Sequence, residues 1–202
     1  FIYKGKTAHA ASCPEKGINA LNSVIQLFNG IDALRQHVTP DVKMHGIITK
    51  GGVAANIVPD EAVADFYFRA STKERVTEVI EKVKKIAEGA ALMTGATLEM
   101  ERYELPYDDL KTNEKLSEMF NENLRALGIT DINPGKATGG SSDIGNVSHV
   151  APTIHPYIGI TDCPMIGHSV EMAKATTTKK AHDRLLIAAL AMAYTGYDVI
   201  VR

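Results

Sequence analysis

The chain has 202 residues, 45% hydrophobic and 23% charged, with a formal net charge of -2. That size and balance permit one large domain or two small ones with a real core, and the slight negative charge gives no steering toward nucleic acid or an anionic membrane. No apolar run stands out as long enough to cross a bilayer, and Cys13 and Cys163 form no CxxC pattern, so a reduced, cytoplasmic setting is the expectation.

The chain opens on Phe1-Ile2-Tyr3-Lys4-Gly5, which reads as a strand already under way and makes a piece of a longer protein the expectation. Ile18, Leu21, Ile25, Phe28, Ile31 and Leu34 then recur at three- and four-residue spacing, predicting a helix over 16–35. Residues 42–48 and 62–70 alternate as strands do, with Gly51-Gly52 punctuating the stretch between them. Val76, Val79, Ile80, Val83, Ile86, Ala87 and Ala90 predict a second helix over 73–94 that stops at Gly95, and residues 97–104 read as a last strand. Strand, helix, strand, strand, helix, strand is the ferredoxin-like α+β order, so residues 1–105 form one domain with helices on one face of an antiparallel sheet.

After Pro106 the character changes. A helix over 113–127 ends at Gly128, a polar glycine-containing loop covers 135–143, and residues 152–160 read as a short apolar strand. The stretch Ile166-Gly167-His168-Ser169 is a loop, and a helix rich in Ala and Leu covers 177–195. Residues 106–202 thus look like half of an α/β layer that lacks its other half.

The histidines are the first chemical suspects. His9 lies among small residues at a strand-to-loop junction, and His168 lies in a loop between Gly167 and Ser169, where a metal ligand is often placed. One ligand is not a site, and no HExxH or His-x-His pattern occurs. Asn56 reads as a turn residue before Pro59, Arg69 as a charge ending a strand, and His149 as a loop residue. Asp108 and Asp109, adjacent in a loop, are given no catalytic role. Gly139 and Gly140 make no phosphate loop, because the lysine of such a loop is missing. With 6% aromatic residues and no RNP-like motif, an RNA-binding reading of the ferredoxin-like domain fails.

The segments say more in order than singly. Gly5-x-x-x-His9-Ala10-Ala11-x-x-Pro14, Gly17-x-Asn19-Ala20, Gly51-Gly52-x-x-x-Asn56-x-Val58-Pro59 and Arg69 together resemble the lid domain of the zinc aminoacylase/carboxypeptidase family of amidohydrolases. Gly139-Gly140-Ser141-Ser142-Asp143 and Gly167-His168-Ser169 resemble the closing part of that family's catalytic domain, nearest to the branch of aminobenzoyl-glutamate hydrolases and related dipeptidases. The resemblance implies a dinuclear-zinc hydrolase acting on an amide substrate with a free carboxylate. It implies His168 as the last zinc ligand and His9 as a lid residue that reaches across a homodimer to steady the oxyanion. Asn56, Arg69, Gly140 and Ser141 would bind substrate. It also implies that the remaining metal ligands and the glutamate base precede the lid and are not in this sequence, so that the chain alone is inactive. The alternative reading is a non-catalytic dimerisation or small-ligand-binding module.

Overall fold

The computed structural model describes residues 1–134 and 141–201. The chain divides into two units, Phe1–Pro106 and Tyr107–Arg202.

In the first unit the strands are β1 (Ile2–Lys4), β2 (Lys43–Lys50), β3 (Glu61–Arg69) and β4 (Thr97–Glu99), and the helices are α1 (Ala20–Arg35) and α2 (Lys73–Thr94). The sheet order is β2-β3-β1-β4 with every pairing antiparallel, which is the ferredoxin-like topology that the element order predicts. Its core sets Tyr3, Met44, Ala62, Ala64 and Phe66 of the sheet against Ala20, Val24, Leu27 and Ile31 of α1 and Val79, Val83, Ala87 and Ala90 of α2. The polar groups inside are paired: the Tyr3 hydroxyl donates to the Ala87 carbonyl at 3.0 Å, and buried Ser23 shares a 2.6 Å hydrogen bond with Thr94. Burial pushes the Tyr3 phenol pKa up. The helices begin and stop on local signals. Asn19 and Thr72 accept amide bonds as N-caps of α1 and α2, and Gly95, at φ 78°, ends α2 in the left-handed conformation that glycine takes freely.

Three expectations for this unit need correction. The first helix starts at Ala20, because residues 14–16 form a separate 3-10 turn and Gly17 is extended. Its buried stripe is Ala20, Val24, Leu27 and Ile31, while Ile25 lies on the outside. Apolar residues wrap more than one face of this helix, so periodicity names two stripes, and contact with the sheet and α2 selects between them. The last strand stops at Glu99 because β1 offers it only three residues, and the ladder ends at Ile2 opposite Glu99.

In the second unit the helices are α3 (Glu114–Ala126), α4 (Ile144–Ser148), α5 (Val170–Ala175) and α6 (Lys179–Val201). Phe120 and Leu124 of α3 pack on Ala191 of α6, flanked by Leu127, Ile129, Ile132, Ile154, Ile158 and Ile187. The strand expected over 152–160 is absent. That segment makes one isolated bridge, Thr112 to Thr153, and Pro152 and Pro156 have no N–H to give a ladder. α6 also corrects the reading that no run is long enough for a bilayer: by length and composition alone this helix is. Its apolar residues extend well beyond the α3 contact, with Leu185, Leu186, Met192, Tyr197 and Ile200 all exposed.

Candidate functional site

His9 sits five residues beyond β1, where the chain doubles back along the loop between β2 and β3. His9 and Ile57 form an antiparallel bridge, the Ala10 amide donates to the Asn56 carbonyl at 3.0 Å, and the Val58 amide donates to the Ala8 carbonyl at 2.9 Å. The structure therefore brings two of the candidate residues, His9 and Asn56, to one corner, and both side chains are exposed there. Gly17 makes room for this corner, since a Cβ on it would press on Ala8 and Val58 at 3.0 Å.

The His9 ring is not loose. Its Nδ1 accepts from the amides of Ala11 at 3.3 Å and Ser12 at 3.2 Å, and the His9 carbonyl accepts from the Cys13 amide at 3.1 Å. The ring caps the turn that follows it, as an Asn or Asp side chain caps a helix. Sequence reasoning misses this role of residues 11 and 12, because backbone amides leave no mark in residue type.

Arg69 is the last residue of β3 and is exposed. The Asn56 loop leads into the first residue of that strand, Glu61, so roughly 26 Å of extended chain separates the two ends. The structure does not bring Arg69 to the His9–Asn56 corner.

In the second unit His168 is exposed and has φ 57°, the one non-glycine residue with positive φ among those described. Next to it Ser169 caps α5, accepting from the Met172 amide at 3.1 Å. Ser141 is exposed, and Gly140 lies outside the described residues. No group of three or more His, Cys, Asp or Glu residues converges among the described residues, so those side chains do not by themselves make a metal centre. Two shallow cavities of about 360 and 420 Å³ lie in this unit, and neither is lined by a candidate residue.

The stretch Gly145-Asn146-Val147-Ser148-His149 has a structural task. The Asn146 side chain accepts from the Asp108 amide at 3.2 Å, and Ser148 Oγ accepts from the Lys111 amide at 2.9 Å. His149 Nε2 lies 3.0 Å from the Asp109 carbonyl. A Cβ on Gly145 would collide with the carbonyl of Asp108. These side chains strap residues 108–111 in place, so His149 is half-buried rather than the plain loop residue its sequence context suggests.

Comparison with known proteins decides the family. Residues 1–93 match the peptidase dimerisation domain of the M20 type. The chain belongs to the M20 peptidase family. It is 35% identical over 204 residues to the Xaa-Arg dipeptidase of Mus musculus, an alignment covering 99% of this chain and 47% of that one. It is 33% identical over 132 residues to one of the p-aminobenzoyl-glutamate hydrolase polypeptides of Escherichia coli (strain K12), covering 65% of this chain and 27% of that one. The crystal structure of an aminopeptidase from Bacillus cereus shares the fold, with a TM-score of 0.63 at 22% identity, over 96% of this chain and 50% of the other. The chain spans less than half the length of these two curated relatives. The His9–Asn56 corner lies within the residues that match the dimerisation domain.

Proposed function

We propose that this chain is the lid-and-dimerisation domain, with the closing part of the catalytic domain, of a metal-dependent hydrolase that cleaves the amide bond of dipeptides, aminobenzoyl-glutamate-like compounds or N-acyl amino acids. The observation that carries the reading is the near full-length likeness of this chain to a dipeptidase, combined with a lid corner that presents His9 and Asn56 together. Zinc is the metal of this reading, with His168 as one ligand and the others supplied by sequence outside this chain. The left-handed backbone at His168 supports a ligand role, since such strain is held mainly where function requires a fixed side-chain direction. The described residues alone do not fit a dinuclear site. The apolar outer face of α6 fits a helix built to lie against a sheet, as half of an α/β layer would.

The separation of the candidate residues gives the proposal its geometry. His9 and Asn56 stand at the start of β3 and Arg69 at its end, so a single site takes His9 and Asn56 from one protomer and Arg69 from the other. A homodimer through the first unit provides both. Strand β2 is one edge of the sheet, eight residues long, with Ile47 and Ile48 exposed, and an edge of that length invites pairing with a second copy. Within the shared site, the exposed His9 ring donates a hydrogen bond to the oxygen that gains charge as the amide is attacked, and Asn56 and Arg69 take the substrate carboxylate.

The test is hydrolysis by the full-length protein supplied with zinc. Release of a free amino acid from a dipeptide, an aminobenzoyl-glutamate or an N-acyl amino acid is the expected result. A folded, zinc-loaded full-length protein that cleaves none of the three overturns the reading.

A further inference from the structure

We propose that the turn at residues 10–13 is a positioning device that locks the neutral His9 ring in a single tautomer, with its hydrogen on Nε2. The inference rests on the reading of His9 as a hydrogen-bond donor to the reacting amide, and it deepens that reading. A ring nitrogen that accepts a hydrogen bond carries a lone pair there, so the hydrogen of the neutral ring sits on the other nitrogen. Nδ1 of His9 faces two donors, the amides of Ala11 and Ser12. The turn holds those amides in place: the Cys13 amide closes it on the His9 carbonyl, and the Ala10 amide ties it to the Asn56 loop. An exposed histidine in water exchanges between tautomers. Here one of them would put an N–H against two N–H groups, and the other satisfies both.

The chemical consequence is polarity. With Nδ1 occupied by the backbone, the ring turns Nε2–H outward. That atom has the sign needed by an oxygen acquiring negative charge, whereas the opposite tautomer would offer it a lone pair. The amides of Ala11 and Ser12 thus act through His9 and touch no substrate themselves.

The experiment is nitrogen NMR of the 202-residue chain labelled in the histidine rings, recorded above the pH at which the rings are neutral. His9 is assigned by the signals lost in His9→Gln. The expected spectrum shows Nδ1 of His9 as a bare ring nitrogen and Nε2 as a protonated one, without the averaging seen for exposed His37. Ser12→Pro removes one donor and moves the His9 signals toward the averaged positions, and Ser12→Ala, which keeps the amide, leaves them in place. Averaged His9 signals in the unsubstituted chain, or the hydrogen on Nδ1, overturn the proposal even if Ser12→Pro does not fold. Steady-state kinetics of the full-length enzyme separates the two claims. A locked tautomer with wild-type kcat in His9→Ala removes the donor reading and leaves the lock standing, and an averaged ring with kcat lost in His9→Ala does the reverse.

Discussion

The amide of Ala10 donates to the carbonyl of Asn56 at 3.0 Å, a backbone hydrogen bond between the His9 turn and the Asn56 loop that needs neither side chain. Substitutions at 9 and 56 leave this bond and the Val58-to-Ala8 bond in place, although His9→Ala also removes the ring that caps the Ala11 and Ser12 amides. In the full-length enzyme His9→Ala is expected to lower kcat by about a hundredfold, the usual effect of removing one oxyanion donor, with metal content unchanged. Asn56→Ala should raise KM first, since the substrate carboxylate is present before and during the reaction. Kinetics with zinc measured in parallel checks both, and loss of zinc from His9→Ala would show that its role is misassigned.

The placement of His9 and Arg69 at opposite ends of β3 makes a prediction about mixtures. His9→Ala and Arg69→Ala homodimers are each impaired. Mixed dimers of the two contain one site with an intact pair and one with neither residue. Refolding the variants together should recover activity toward about a quarter of wild type, because about half the dimers are mixed and half their sites are whole. No recovery beyond the mean of the two variants would mean that both residues serve the same protomer's site.

Gly46 of β2 lies opposite Phe66 of β3, and the Phe66 ring covers the bare Cα. A Cβ there would come within 2.3 to 2.5 Å of ring carbons of Phe66, and that ring packs on Phe28 at 4.8 Å and Phe68 at 5.9 Å between centroids. Gly46→Ala is expected to destabilise by about 1–3 kcal/mol, as overpacking does. Phe66→Leu in the same chain should make the second loss smaller than additive. Urea unfolding of the four chains measures this, and strict additivity would refute the contact.

Asp41 joins the start of β2 to the start of α2. Hydrogen bonds from the Thr39 side chain, from the Ser71 hydroxyl and amide at 2.7 and 3.0 Å, and from Arg75 at 3.0 Å hold its carboxyl well below the usual carboxylate range. A lowered folded-state pKa means that the unfolded chain takes up the proton first. The stability from Asp41 is complete above the unfolded value of about 3.9 and is lost as pH falls through the folded value. Asp41→Asn should be less stable than the unsubstituted chain near neutrality and lose less on acidification. Thermal unfolding followed from about pH 7 down to about pH 2 would show the two curves converging, and parallel curves would contradict the assignment.

For the first unit, residue type and spacing were enough to say which elements form and in what order. The apolar spacing along 73–94 is periodic over about six turns, and Gly95 and Gly128, both at positive φ, stop their helices where expected. The motifs around His9, Asn56 and His168 stand out in the sequence as an ordered set that resembles a family, and none of them points to chemistry taken singly. Matters that depend on partners distant in sequence were settled by the folded chain alone. Packing selected Val24 and Leu27 over Ile25 for the core, because a helix with two apolar stripes is oriented by what it packs on. It denied a strand to 152–160, because a strand exists only through a ladder with another. It set Asn56 beside His9 and left Arg69 a strand's length away, because pairing of β1 with β3 fixes which ends of the sheet meet. It gave the His9 ring its direction through the amides of Ala11 and Ser12, since the geometry of a turn, not the identity of its residues, aims those donors.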